Sequence, residues 1–173
     1  DYGKETLPLV IYLHGGGYNS GSADNMVALA TLYPLKEKVI MLFPNHLKGW
    51  WCHPHEMAYF LDTLTAVMIR WRVDPKRIYL MGDSMGGNGT WAIGSHCFEM
   101  FAAVSPGSGD YKPLYEIPLQ NLAQKPIRIA HGIKDPVVPI AGARDAFAIL
   151  KKLNAPVEMH ELDCGHAVPM EEE

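Results

Sequence analysis

The stretch Arg77-Ile78-Tyr79-Leu80-Met81-Gly82-Asp83-Ser84-Met85-Gly86 decides how the rest of this sequence is read. Residues of buried-strand character run into G-x-S-x-G, and an apolar helical pattern follows. Such a junction turns a strand sharply into a helix. It strains the central serine and exposes its hydroxyl, and small residues two before and two after let the flanking backbones pass. The motif alone is weak, because glycine and serine are common. Its weight comes from the strand–turn–helix context and from an acid and a histidine that follow in matching order.

Outward from that junction the pattern alternates. Strands are expected at Leu7 to Leu13, Val39 to Phe43, Arg77 to Met81, Phe101 to Val104, Ile127 to Ala130 and Val157 to Leu162. Helices are expected at Ala23 to Leu32, His55 to Arg70, Gly87 to Cys97 and Ala141 to Leu153, with a helical turn near Glu116 to Leu122. Asp74-Pro75 reads as a turn. Short apolar strands alternating with helices imply an α/β domain, a mostly parallel central sheet with helices on both faces. No long amphipathic insertion lies between Ser84 and Asp135, so the core is expected to lack a lid. In parallel sheets, sites form at the carboxyl ends of the strands. His14-Gly15-Gly16-Gly17, Ser84, Asp135 and His166 all fall at such ends.

Composition narrows the function. The 173 residues suit one domain, residues 1–173, and are 48% hydrophobic and 20% charged, an ordinary globular balance. A net charge of −4 without a basic run gives no support to nucleic-acid or anionic-membrane partners. No apolar stretch reaches membrane-span length. The opening Asp1-Tyr2-Gly3-Lys4-Glu5 carries no secretory pattern, so a cytoplasmic location is the default expectation, with secretion open if the N-terminus is truncated. Cys52, Cys97 and Cys164 are too few and too scattered for a disulfide framework or a C-x-x-C zinc site. Oligomeric state is not readable.

Serine is a poor nucleophile at neutral pH. It needs a base to take its proton, and an acid to orient the base. Ser84 is the candidate nucleophile, Asp135 the acid and His166 the base, in the order Ser, Asp, His. Gaps of 51 and 31 residues leave room for the intervening strands and helices. Attack on a carbonyl also develops charge on oxygen, which fixed N–H groups must meet. Met85 is expected to supply one donor. The glycine loop supplies the other, Gly16 by preference and Gly17 as the alternative.

These segments resemble the α/β-hydrolase superfamily, and within it the small serine esterases of the phospholipase/carboxylesterase and dienelactone-hydrolase-like group, which includes predicted peptidases and feruloyl-esterase-type proteins. The resemblance is carried by LPLVIYLHGGGYNSG, RIYLMGDSMGGNGTWAIGSHCFEMFAAVSPGSGD, IRIAHGIKDPVVP and the terminal CGH. It implies a Ser84–Asp135–His166 triad, an oxyanion hole at Met85 and the Gly16 region, and ester hydrolysis through an acyl-enzyme with no cofactor and no metal. A small-molecule ester is the implied partner, with short-chain or aryl esters favoured and feruloyl and acetyl esters among them. A peptidase or thioesterase using the same triad, and a non-catalytic binding protein of the same fold, remain alternatives. Dienelactone hydrolases proper carry cysteine where this chain has Ser84. Relatives also usually carry extra strands before the Leu7 segment and a helix after the histidine, so a core trimmed at both ends is expected.

Other residues admit two readings. Trp50 and Trp51 lie in the loop after the second strand, where they either wall the substrate pocket or pin the loop to the core. His46, His53 and His55 read as solvated loop histidines, and His14 and His131 as structural. Gly82-Asp83-Ser84 with Asp163-x-x-His166 mimics the GDSL hydrolase pattern. That family places its serine after the first strand, so Asp163 reads as a decoy.

Overall fold

The computed structural model describes residues 5–17, 20–24, 26–27, 38–112 and 117–166. Six strands form one sheet: β1 (Leu7–Leu13), β2 (Ile40–Leu42), β3 (Val73–Asp83), β4 (Ala103–Gly107), β5 (Ile127–Gly132) and β6 (Val157–Leu162). Their order is β2-β1-β3-β4-β5-β6, and every adjacent pair is parallel. Parallel neighbours need a crossover; helix α1 (Pro54–Arg70) carries the chain from β2 past β1 to β3, while α2 (Met85–His96) and α3 (Ala141–Lys152) supply the crossovers from β3 to β4 and from β5 to β6. Of the first helix expected at Ala23 to Leu32, only residues 23–24 and 26–27 are described; they are helical, and the remainder lies outside the described residues.

The side-chain period of two sorts each strand. Leu9, Ile11, Leu13, Ile78, Leu80, Val104, Ile127, Ile129 and Val157 are buried on one face. α2 lies on that face, since a methyl added at Gly94 would meet Val104 and Leu80. Phe60 and Leu64 of α1 and Ala143, Ala146 and Leu150 of α3 join the same core. The alternate residues Tyr79, Met81 and Ser105 are half-buried, and Arg128 and Glu158 are exposed. Among the described residues no helix is long and apolar enough to cross a membrane. Cys52 and Cys97 are free thiols.

Several strand ends shift from expectation, β4 most, which runs Ala103–Gly107 instead of Phe101 to Val104, and two elements differ in kind. β3 begins at Val73, so Asp74-Pro75 lies within its span. The reason is local: Asp74 accepts the Lys76 N–H at 2.9 Å, and pairing with β1 slips between Leu7 and Leu9. The strand absorbs the turn as an irregularity. The helical turn expected at Glu116 to Leu122 is a 3-10 turn at Leu119–Leu122, and Glu116 lies outside the described residues.

The loop before α1 is held by Glu56, which is fully buried. Its carboxylate accepts the Leu47 N–H at 2.9 Å and the Lys48 N–H at 2.8 Å. A buried charge persists only when its lone pairs are satisfied. Glu56→Ala removes both acceptors and should lower stability by about 1–3 kcal/mol in urea unfolding. An unchanged midpoint would contradict this role for the carboxylate.

Candidate active site

Ser84 sits between β3 and α2 with φ 58° and ψ −116°. That is a costly conformation for a residue with a Cβ, on the order of 1–3 kcal/mol. Surrounding contacts enforce it. The Ser84 N–H donates to the Gly107 carbonyl at 3.0 Å, and the Ser84 carbonyl accepts the Asn88 N–H at 2.9 Å, which starts the helix. The first turn of α2 then lies directly on β1. A methyl at Gly86 would fall 1.9 Å from the Leu13 carbonyl oxygen, and one at Gly82 would fall 2.6 Å from it. Only glycine fits at these two positions.

His166 follows β6 and reaches both partners. Its Nε2 lies 2.8 Å from Ser84 Oγ, and its Nδ1 lies 2.8 Å from Asp135 Oδ2. A carboxylate only accepts, so Nδ1–H donates to Asp135 and Nε2 is left to accept the Ser84 hydroxyl. The Asp135 side chain is buried, whereas 28% of the His166 side chain is exposed. Asp135 Oδ1 accepts the N–H groups of Val137 at 2.8 Å and Val138 at 2.9 Å. Burial pushes the Asp135 carboxyl up; the Val138 N–H, His166 and the Val137 N–H outweigh it and hold the carboxyl below its ordinary range. The decoy reading of Asp163 agrees with the geometry, because its carboxylate pairs with Lys134 while His166 meets Asp135.

Met85 occupies the first position of α2, where an N–H has no carbonyl one turn back. Gly16 has φ +130°, and a methyl at Gly15 would lie 3.3 Å from Ser84 Cβ, so this loop abuts the serine. Gly17 is corrected as an oxyanion donor: its N–H already donates to Ser20 Oγ at 2.7 Å. Gly16 N–H makes no bond to any described residue, which leaves it available.

Trp51 is likewise corrected as a pocket wall. It is fully buried, and its indole N–H donates to the His14 carbonyl at 3.1 Å. The apolar ring and its single donor are both satisfied inside, so the residue pins the loop. Trp50 is half-buried and packs against the core. His46 and His53 are half-buried rather than solvated, and His55 is exposed. Among the described residues no three His, Cys, Asp or Glu side chains cluster as metal ligands would.

Two residues lie beside Asp135 and Ser84: His131, read in the sequence as structural, and Asp83, whose burial the sequence did not reveal. His131 is buried, with Nε2 2.8 Å from the Val138 carbonyl and 3.4 Å from Asp135 Oδ2. Asp83, next to Ser84, has an Oδ1 buried without a hydrogen-bond partner. Its strand parity with Tyr79 and Met81 was the available signal, since it sets Asp83 apart from the buried Ile78 and Leu80. Burial, chiefly, raises the Asp83 carboxyl to about 6; Asp135 adds to this, while His166, Ser108 and the Ser84 N–H oppose it. A raised carboxyl stabilises the fold fully below its unfolded value, and the contribution is lost as pH rises through about 6. Asp83→Asn should abolish that loss. Its melting temperature should exceed the wild-type value at pH 7.5 by more than at pH 4, as differential scanning fluorimetry would register. An equal difference at both pH values would refute the assignment.

Comparison with known proteins agrees with this architecture. No family model matches the chain. It is 25% identical over 184 residues to the uncharacterized protein YfhR of Salmonella typhi, across 86% of this chain and 61% of that protein. It is 30% identical over 86 residues to an esterase of Fusarium pseudograminearum, across 47% of this chain and 26% of that protein. The chain thus spans less than two thirds of either relative's length. Among solved structures, the phospholipase/carboxylesterase from Dyadobacter fermentans superposes with a TM-score of 0.73 at 19% identity, covering 95% of this chain and 85% of that one. The fold is that of the α/β-hydrolases.

Proposed function

We propose that this α/β-hydrolase-fold chain is a serine carboxylic-ester hydrolase working through an acyl-enzyme. The observation that carries the reading is the continuous relay from Ser84 Oγ through both nitrogens of His166 to Asp135, at 2.8 Å for each contact. Ser84 attacks the ester carbonyl as His166 Nε2 takes its proton. Asp135 holds the imidazole tautomer and supports the imidazolium. The developing oxyanion meets the N–H groups of Met85 and Gly16. His166 then protonates the leaving alkoxide, and water repeats the sequence on the acyl-enzyme.

Short-chain or aryl esters, feruloyl and acetyl esters among them, are the favoured substrates. Between Ser84 and Asp135 the described residues include only strands, α2 and two 3-10 turns, with no amphipathic insertion to cover long acyl chains. With Trp51 buried, the aryl preference rests on Trp50 alone.

The test is turnover of p-nitrophenyl esters from acetate to palmitate by wild type and Ser84→Ala. Wild type should peak at short chains, and Ser84→Ala should lose about 10⁴-fold or more in kcat. Undiminished turnover in Ser84→Ala would overturn the nucleophile assignment. A folded wild type inert to every ester would favour the peptidase, thioesterase or binding-protein alternatives.

A further inference from the structure

We propose that Asp83 is a positioning residue acting through His166: its carboxylate, set beside Ser84 with one oxygen unpartnered, supplies a second negative charge that favours the imidazolium formed during attack. This rests on the ester-hydrolase reading above and adds a fourth residue to its machinery.

The backbone of Asp83 is fixed from two sides. It closes β3 opposite Gly107 of β4. Its carbonyl oxygen lies against the glycine loop, where a methyl at Gly15 would come within 3.1 Å of it. The next residue is the nucleophile, whose N–H is held by the Gly107 carbonyl at 3.0 Å. Strand parity groups Asp83 with Tyr79 and Met81, on the face opposite α2. There the side chain is poorly satisfied. Oδ1 is shut off from solvent and makes no hydrogen bond to any described residue. Ser108, fully buried at φ 42°, has an Oγ in the same condition. A carboxylate so placed is costly on its own, and an opposite charge nearby relieves the cost.

The opposite charge comes from His166. Burial raises the Asp83 carboxyl to about 6; the His166 imidazolium is the strongest influence favouring the anion, ahead of the Ser108 hydroxyl and the Ser84 N–H, while Asp135 disfavours it. Tyr12 of β1 feels the same carboxylate: burial first and Asp83 second push its hydroxyl up to about 12, so it stays uncharged. His14, at the end of β1, is held below the ordinary histidine value chiefly by burial and brings no competing positive charge at neutral pH. His131 of β5 lies on the far side, 3.4 Å from Asp135. Interaction between two titrating groups is mutual, so the carboxylate favours the imidazolium as much as the imidazolium favours it. In the resting relay His166 accepts the Ser84 hydroxyl and is neutral, which leaves the Asp83 charge uncompensated. During attack the imidazolium compensates it. Stabilisation present only in the transition state raises the rate rather than the binding of substrate. The help exists above about pH 6, where Asp83 is ionised, and is lost below it.

Charge and packing therefore separate by pH. Asp83→Asn keeps the shape and removes the charge. On p-nitrophenyl acetate its kcat/KM should fall about 3- to 10-fold below wild type near pH 8. Near pH 5 the two should agree within about twofold, because wild-type Asp83 is then protonated as well. The acid limb of the profile should also lie at lower pH in Asp83→Asn than in wild type. A merely structural role would lower activity by one factor throughout. Equal deficits at the two pH values, or a folded Asp83→Asn with wild-type kcat/KM near pH 8, overturns the proposal. Should Asp83→Asn fail to fold, carbon-13 NMR of the aspartate carboxyls carries the test. The Asp83 carboxyl should titrate at higher pH in His166→Gln than in wild type, since the charge favouring its anion is gone; coincident titrations overturn the proposal. A wild type inert to p-nitrophenyl acetate at every pH would instead defeat the ester-hydrolase reading itself, and this proposal with it.

Discussion

The close approach of α2 to the end of β1 is the constraint on which the rest of the structure depends. Gly86 lies so near the Leu13 carbonyl that any side chain would collide with backbone. That contact lets the chain turn within one residue, and the turn is why Ser84 carries a positive φ. Backbone cannot yield as a flexible side chain can, so the strain at Ser84 is held by its neighbours. The same approach brings the first turn of α2, with its unpaired N–H groups, beside the loop of Gly15 and Gly16. The position of Ser84 and of the N–H groups proposed for the oxyanion hole thus follows from one packing event.

Asp135 and His166 are brought together by a second event at the other end of the sheet. β5 and β6 run in parallel, and their exits stay paired: Ile133 N–H donates to Leu162, and Lys134 N–H donates to Cys164. Asp135 and His166 therefore leave the sheet side by side. The Lys134–Asp163 ion pair joins the same two loops, but both side chains are exposed, so it adds little. Main-chain bonds and the buried Asp135 carboxylate do the positioning.

Ser84, Asp135 and His166 were legible because each follows an apolar strand, and a parallel sheet gathers such ends on one edge. The glycines at 82 and 86 were legible because their steric need is local. Trp51 was not, since a tryptophan near a site reads alike as wall or anchor until its N–H partner is known. Gly17 was excluded only by Ser20, a neighbour whose hydroxyl bond depends on the loop's fold. Asp83 went unread, and His131 was read as structural without its place beside Asp135, because both matter through burial next to another charged or polar group, which no spacing encodes. β3 extended past an expected turn because its pairing with β1 tolerated a slip at Leu7 that the Asp74-Pro75 signal could not foresee.

The central claim is that Ser84 is activated by His166 and Asp135. Peptide mapping by mass spectrometry, after exposure to a fluorophosphonate, tests it without requiring the natural ester. The account predicts one adduct, on Ser84, in wild type, and a labelling rate lower by orders of magnitude in folded His166→Ala. A folded wild type left unmodified, an adduct on another residue, or equal labelling in His166→Ala would contradict it.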